Sequence, residues 1–262
     1  ILKTGTNLSK PVLNGLYGNR LILLNNGVRH ESQQWGADHA PEIDPFAGQD
    51  ILVVKNADAV RYGPDALAGV IQINPTAIDK TRKARSHTAM VLNSNGRGAT
   101  LNTQLEGAVN NFAYRVGVTG KKAGNLKTAS YYLGNTGTTE LNGNLLAEYK
   151  WKKSNIQFSL SQFGTTLGIF EGAHIGSKED ILARIEYGRP FEHYDFSYTI
   201  KAPKQEVQHQ TAKLHYQYKI NDDAKIEAQY SFQRNHRKEF DLRRVLEDNI
   251  PMADIILSTQ QL

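Results

Sequence analysis

Between Thr211 and Ile220 the chain alternates without a break: Ala212, Leu214, Tyr216, Tyr218 and Ile220 stand between Thr211, Lys213, His215, Gln217 and Lys219. Successive side chains of a strand point to opposite faces, so a period of two predicts a strand with one apolar and one polar face. After Asn221-Asp222-Asp223 the pattern resumes through Ala224, Ile226, Ala228, Tyr230 and Phe232. Two such strands about a short polar turn predict a hairpin. The unit occurs twice more. Leu101, Thr103, Leu105, Gly107 and Val109 lead through Asn110-Asn111 to Phe112, Tyr114, Val116 and Val118. Leu141, Leu145, Ala147, Tyr149 and Trp151 lead through Lys152-Lys153-Ser154-Asn155 to Ile156, Phe158 and Leu160. The connections between hairpins, Gly120 to Glu140 and Phe163 to Gln208, are long. The predicted sheet therefore has tight turns at one end and long loops at the other.

The first 78 or so residues follow a different pattern. Leu21-Ile22-Leu23-Leu24 is closed by Asn25-Asn26-Gly27, Ile51-Leu52-Val53-Val54 stands alone, and Val70-Ile71-Gln72-Ile73 ends at Asn74-Pro75. Short β-branched or Leu-rich runs bounded by turn residues predict buried strands. The segment from Ala57 to Leu67 between them suits a short helix or an irregular loop. The expectation is a small α+β unit followed by a long antiparallel sheet.

Composition changes this picture in one respect. The mean hydropathy is −0.50, and no run approaches the roughly 18 apolar residues of a membrane helix. A transmembrane β-barrel escapes that test, because its alternating strands average to a polar composition. Three features favour such a barrel over a soluble sandwich. The strands reach about ten residues, enough to cross a bilayer at a tilt. The turn lengths are asymmetric. Aromatic residues gather on the apolar face near the tight turns: Phe112 and Tyr114, Tyr149 and Trp151, Tyr216 and Tyr218. Rings there fit the interfacial belt at headgroup level.

The net charge of +5 is spread along the chain, which argues against a nucleic-acid partner. The absence of cysteine removes disulfides and thiolate ligands. Enzyme signatures are missing as well. No Gly-x-Ser-x-Gly occurs, His30-Glu31 is followed by Ser32-Gln33-Gln34 and so misses the zincin spacing, and no Gly-Lys-Ser/Thr follows Gly63 or Gly69. Ser86 and His87 would face opposite sides of a strand. The chain is not expected to be an enzyme.

The segments "PVLNGLYGNRLILLNNGVR", "DPF" and "VRYGPDALAGVIQIN" within residues 11–74 resemble the plug domain of TonB-dependent outer-membrane receptors. The last segment carries most of the likeness, through Tyr62, Gly63, Ala66, Ala68, Gly69, Val70, Ile71 and Ile73, supported by Asn26-Gly27-Val28-Arg29. The likeness departs at Lys55-Asn56-Ala57, where the family often carries Arg-Gly-Pro or Arg-Gly-Ala. Gly27, Arg29, Tyr62, Gly63 and Gly69 would be structural residues of the plug. The resemblance implies a mainly β protein: a small α+β plug at 1–80, then part of a large antiparallel transmembrane β-barrel at 81–262. An eight-stranded barrel holds only side chains, whereas plugged transporters need about 22 strands. The chain is therefore expected to be a fragment, with the start of the plug and its energy-coupling box upstream. The opening Ile1-Leu2, without Met or a signal peptide, agrees with a trimmed product.

What the resemblance implies is active import across the bacterial outer membrane. The partners would be the TonB energy-coupling complex, reached through the missing N-terminal segment, and outer-membrane lipid and lipopolysaccharide. The alternative is a passive porin- or adhesin-like barrel without energy coupling. No intrinsic cofactor is implied; zinc, an iron chelate or haem would be the transported ligand, with the zinc- and haem-importing branch nearest. The plug loops facing that ligand would include Tyr17, Asn19, His30, Gln33, Gln34 and Trp35. The stretch "QQWGADHAPEIDP" at residues 33–45 also holds Asp38 and His39. Carboxylate and imidazole together suit zinc and other borderline divalent ions. His174 or His193, from the long loop, could complete such a set. The basic residues Arg234, His236, Arg237, Lys238, Arg243 and Arg244 are expected in a solvated loop after a strand end.

Overall fold

The computed structural model describes residues 1–3, 9–32, 39–81, 83–170, 172, 177–241 and 250–262. Strands β1 (Leu2–Lys3) and β2 (Ser9–Lys10) pair as a short antiparallel ribbon. A mixed four-stranded sheet follows, built from β3 (Leu21–Asn25), β4 (Val28–Arg29), β5 (Asp50–Val54) and β6 (Gly69–Asn74) in the order β4-β3-β6-β5. β3 and β6 run parallel; the other pairs are antiparallel. The apolar runs read from the sequence are these strands, and 3-10 turns occupy Gly18–Arg20 and Asn56–Tyr62.

Local chemistry explains the turns. Asn26 and Gly27 join β3 to β4 with φ of 51° and 75°, the left-handed pair that a two-residue hairpin demands. Gly69 has φ of 125°, and a Cβ there would meet the Val54 carbonyl oxygen at 2.4 Å, so only glycine opens β6 against β5. The core of this unit is small: Ile22, Val54, Ala59, Ala66 and Val70, with Leu24 and Tyr62 packed against it.

Eight strands form the second sheet, each antiparallel to the next in chain order: β7 (Arg85–Asn93), β8 (Gly98–Val109), β9 (Phe112–Ala123), β10 (Thr138–Trp151), β11 (Ser154–Gly168), β12 (Lys204–Lys219), β13 (Lys225–Phe240) and β14 (Ala253–Gln261). The sheet is open, with β7 and β14 at its edges. Its two faces are inverted relative to a soluble protein. Leu101, Leu141, Leu214 and Ile226 are exposed, whereas Asn102, Asn142, Gln205, Ser231 and Asn235 are buried. Water would penalise that exposed apolar face, and lipid does not. The aromatic residues near the tight turns lie on it; Trp151 sits 5.6 Å from Tyr149 and 6.3 Å from Tyr216, ring centre to ring centre.

Three sequence readings change. β11 and β12 extend the sheet, so the long connection shrinks to 169–203, and within it lies the helix α1 (Lys178–Tyr187). Ser177 caps α1 by accepting from the Asp180 N–H, and Gly188 ends it in the left-handed region. The β7–β8 connection at 94–97 is a tight turn at the long-loop end, against the simple asymmetry. The basic run does not follow a strand end. Arg234, His236, Arg237 and Lys238 all lie inside β13, paired to β12 through Phe240. There the pleat separates them, sending Arg237 to the buried polar face; Arg243 and Arg244 lie outside the described residues.

The N-terminal unit sits on that polar face. Asn26 donates to Ser159 Oγ at 3.2 Å, and Lys213 Nζ donates to the Asn26 carbonyl at 2.6 Å. Gln233 donates to the Arg29 carbonyl at 2.6 Å, Gln104 to the Phe46 carbonyl at 2.6 Å, and Thr119 Oγ1 to Asp44 at 2.7 Å. After β6 the chain passes under the tight-turn end. Arg115 donates there to the Thr76 and Ala77 carbonyls at 2.8 and 3.2 Å. Ile78 is buried with Ala108, Ala113 and Leu146 of the sheet.

Candidate functional site

The strand directions orient the N-terminal unit. β6 runs toward Thr76, close to the tight turns, and β3 is parallel to it. The start of β3, with Tyr17 and Asn19 just before it, therefore lies at the end of the unit away from the tight turns. Tyr17 is exposed. The chain beyond Gly27 climbs the wall in the same direction: Gly27 meets Gln229, Glu31 meets Gln233, Glu42 meets Arg237 and His39 meets Glu239. Glu239 is one residue from the loop end of β13. Gln33, Gln34, Trp35 and Asp38 lie outside the described residues, as does His174.

His39 is buried, and its Nε2 lies 3.1 Å from Glu239 Oε1. Its Nδ1 is buried and has no hydrogen-bond partner among the described residues. His193 is elsewhere, fully exposed on the long loop beside Asp195 at 3.7 Å. His30 is only 4% exposed. It enters a network whose other members the sequence reading did not single out.

Glu42 is the centre of that network. Its Oε2 accepts from Ser32 Oγ at 2.5 Å and from Asn235 Nδ2 at 3.0 Å, and lies 3.2 Å from His209 Nδ1. Arg237 Nη2 bonds its other oxygen, while Arg237 Nη1 donates to Gln205 at 2.7 Å. The Glu42 backbone N–H donates to His30 Nε2 at 3.3 Å, and the His30 and His209 rings stack at 4.4 Å between centroids. Burial alone would push the Glu42 carboxyl up. The bonds from His209 and His30, with the charges of His30 and Arg237, reverse that and hold it well below the ordinary carboxylate range. Burial dominates at His30 and lowers its basicity, against the bond and charge of Glu42. Asp44 is pushed up, chiefly by burial, against the bonds from Thr119 and the Phe46 N–H. A cavity of about 60 Å³ beside Glu42 is lined by polar residues, among them Asn26, Asp44 and Arg115, and by apolar ones, among them Val28, Ile43 and Leu146, so the polar contacts of the seam alternate with apolar ones.

One signal would have found the missed members. In a barrel whose polar face is turned to an internal domain, every His, Arg or Gln on that face is a contact. His209, Arg237 and Gln205 all stand at such positions.

Comparison with known proteins gives this architecture its context. The profile of the TonB-dependent Receptor Plug Domain matches residues 2–70. Residues 2–70 thus resemble the plug domain of a TonB-dependent receptor. The structure of the whole chain resembles solved receptors of that kind. Against the ferric enterobactin receptor PfeA of Pseudomonas aeruginosa the TM-score is 0.62 at 12% identity, over 92% of this chain and 37% of that one. Against the siderophore receptor PirA from Acinetobacter baumannii it is 0.61 at 14% identity, over 94% and 36%. Against the copper transporter OprC it is 0.69 at 16% identity, over 99% and 36%. At these identities the likeness is one of fold. The chain spans little more than a third of the length of these structures. No curated protein matches the sequence. The plug, the inverted sheet and this fold place the chain in the bacterial outer membrane, as a plug with part of an unclosed barrel wall.

Proposed function

We propose that the full-length protein imports a scarce ligand (a metal ion, a metal chelate or haem) across the outer membrane, driven by the TonB complex acting on the plug from upstream. The observation that carries this reading is the plug–wall seam. The bonds named between plug and wall are hydrogen bonds and ion pairs, from Asn26–Ser159 to Arg237–Glu42. A typical hydrogen bond contributes about 1 kcal/mol net, because water replaces it when it opens. Such a seam can part and re-form, whereas an apolar core of the same area would resist opening. A passive porin has no use for a plug held across its wall. The solved structures of similar fold include receptors for ferric enterobactin and for siderophores, and a copper transporter, which supports a metal or metal-chelate ligand here.

In this reading Tyr17, Asn19, Gln33, Gln34 and Trp35 belong to the plug surface that meets the ligand, His30 supports it from the buried plug–wall network, and Asp38 and His39 are the pair offered to a metal. The position of His39 next to Glu239, close to the loop end of the wall, supports an outward location for that stretch. The test is uptake of Zn²⁺, haem and ferric chelates by the full-length receptor in a strain lacking it, compared with Asp38→Ala and His39→Ala. Loss of uptake of one ligand in both variants is the expected outcome. Unchanged zinc uptake in both would remove the metal pair, and uptake that persists without TonB would favour the passive barrel.

A further inference from the structure

Among the described residues, one group of side chains brings three metal-ligating atoms together: His30, Glu42 and His209, each within 4.8 Å of the others. Two come from the plug and one from wall strand β12. All three are buried. Two imidazoles and a carboxylate are a donor set used by zinc and by other borderline divalent ions. We propose that His30, Glu42 and His209 form a divalent transition-metal site that cross-links the plug to the barrel wall, separate from the site of the imported ligand.

The surroundings are those of a supported site. Metal-binding carboxylates and imidazoles are held by outer hydrogen bonds that fix their orientation. Arg237 bonds one oxygen of Glu42 and is itself held by Gln205, while the other oxygen lies 3.2 Å from His209 and 3.7 Å from His30, whose Nε2 accepts the Glu42 N–H when no ion is bound. Ser32 and Asn235 bond that same oxygen and fix its direction. Among the described residues the second ring nitrogen of His209, Nε2, is buried and without a partner, while Nδ1 lies against Glu42 and Asn235. Ligand atoms about a tetrahedral zinc lie roughly 3–3.5 Å apart. The present spacing therefore needs a contraction of about an ångström on binding. Water would fill the fourth position.

Cobalt(II) is the probe, because a buried nitrogen- and oxygen-liganded ion gives it a visible absorption band. Full-length receptor in detergent, stripped with a chelator, is titrated with Co²⁺ and then with competing Zn²⁺. One equivalent should bind and develop the band, zinc should discharge it, and metal should slow proteolysis of the plug. His30→Ala and His209→Ala should each weaken cobalt binding by about tenfold or more. Receptor that shows no saturable band, or a band of equal affinity in both variants, would overturn the proposal. A band that persists in Asp38→Ala/His39→Ala receptor assigns the ion to this site even if a variant at it fails to fold, and a band lost there would overturn the proposal. The readout of the titration is independent of uptake, so it fails or succeeds separately from the transport reading.

Discussion

Arg237 and Glu42 meet where neither can reach water, with side chains about 4% exposed on each partner. Removing one partner of such a pair leaves an uncompensated buried charge, at a cost of about 3–5 kcal/mol. Arg237→Met should therefore lower the thermal transition of the plug in the full-length receptor, read by calorimetry. The effect carries a pH signature. In the native protein the Glu42 carboxyl sits below its ordinary value of 4.5, so its contribution is complete above that value and is lost as pH falls below it. With Arg237 gone, one of the charges that lower the carboxyl is lost and its value rises, so acid relieves part of the penalty by protonating it. The gap between variant and native receptor should be widest near pH 7 and narrow toward pH 4.5. A gap that is constant with pH would mean the loss is one of packing rather than charge.

At the scale of elements, Gly69 is the most constrained position of the plug sheet. Any side chain there must adopt a glycine-only backbone and also displace the Val54 carbonyl. Backbone strain alone costs about 1–3 kcal/mol. Gly69→Ala should lower the plug transition while the barrel transition stays in place; equal shifts in both would show that plug and wall unfold together. This sheet and the three hairpins were legible in the sequence, because alternation about Asn110-Asn111, Lys152-Lys153 and Asn221–Asp223 fixes both register and face. The helix α1 was not, since its Ile181, Leu182 and Ile185 remain exposed and make only a weak apolar stripe inside a long connection. The network around Glu42 was half legible. His30 stood out as a lone histidine, but its partners His209 and Arg237 are 179 and 207 residues further on by their numbers. Alternation marks those two as polar-face residues without saying what they face.

At the scale of the molecule, the plug is joined to the wall by scattered polar contacts and continues directly into β7. A reducible thiol crosslink between Asn26→Cys and Ser159→Cys, whose native side chains meet at 3.2 Å, should block uptake by the full-length receptor while leaving ligand binding at the cell surface intact. Reduction should restore uptake. Continued uptake with the crosslink in place would mean that transport does not require this part of the seam to open. The passage from β6 to β7 adds a mechanical consequence. Arg115 grips the chain at Thr76 and Ala77, and Ile78 is seated in an apolar notch of the wall. A pull on the plug from its N-terminal side therefore works against a moored hinge. The plug can swing or unravel toward that pull, but its far end stays tied beneath the wall, which keeps it on a leash short enough to return.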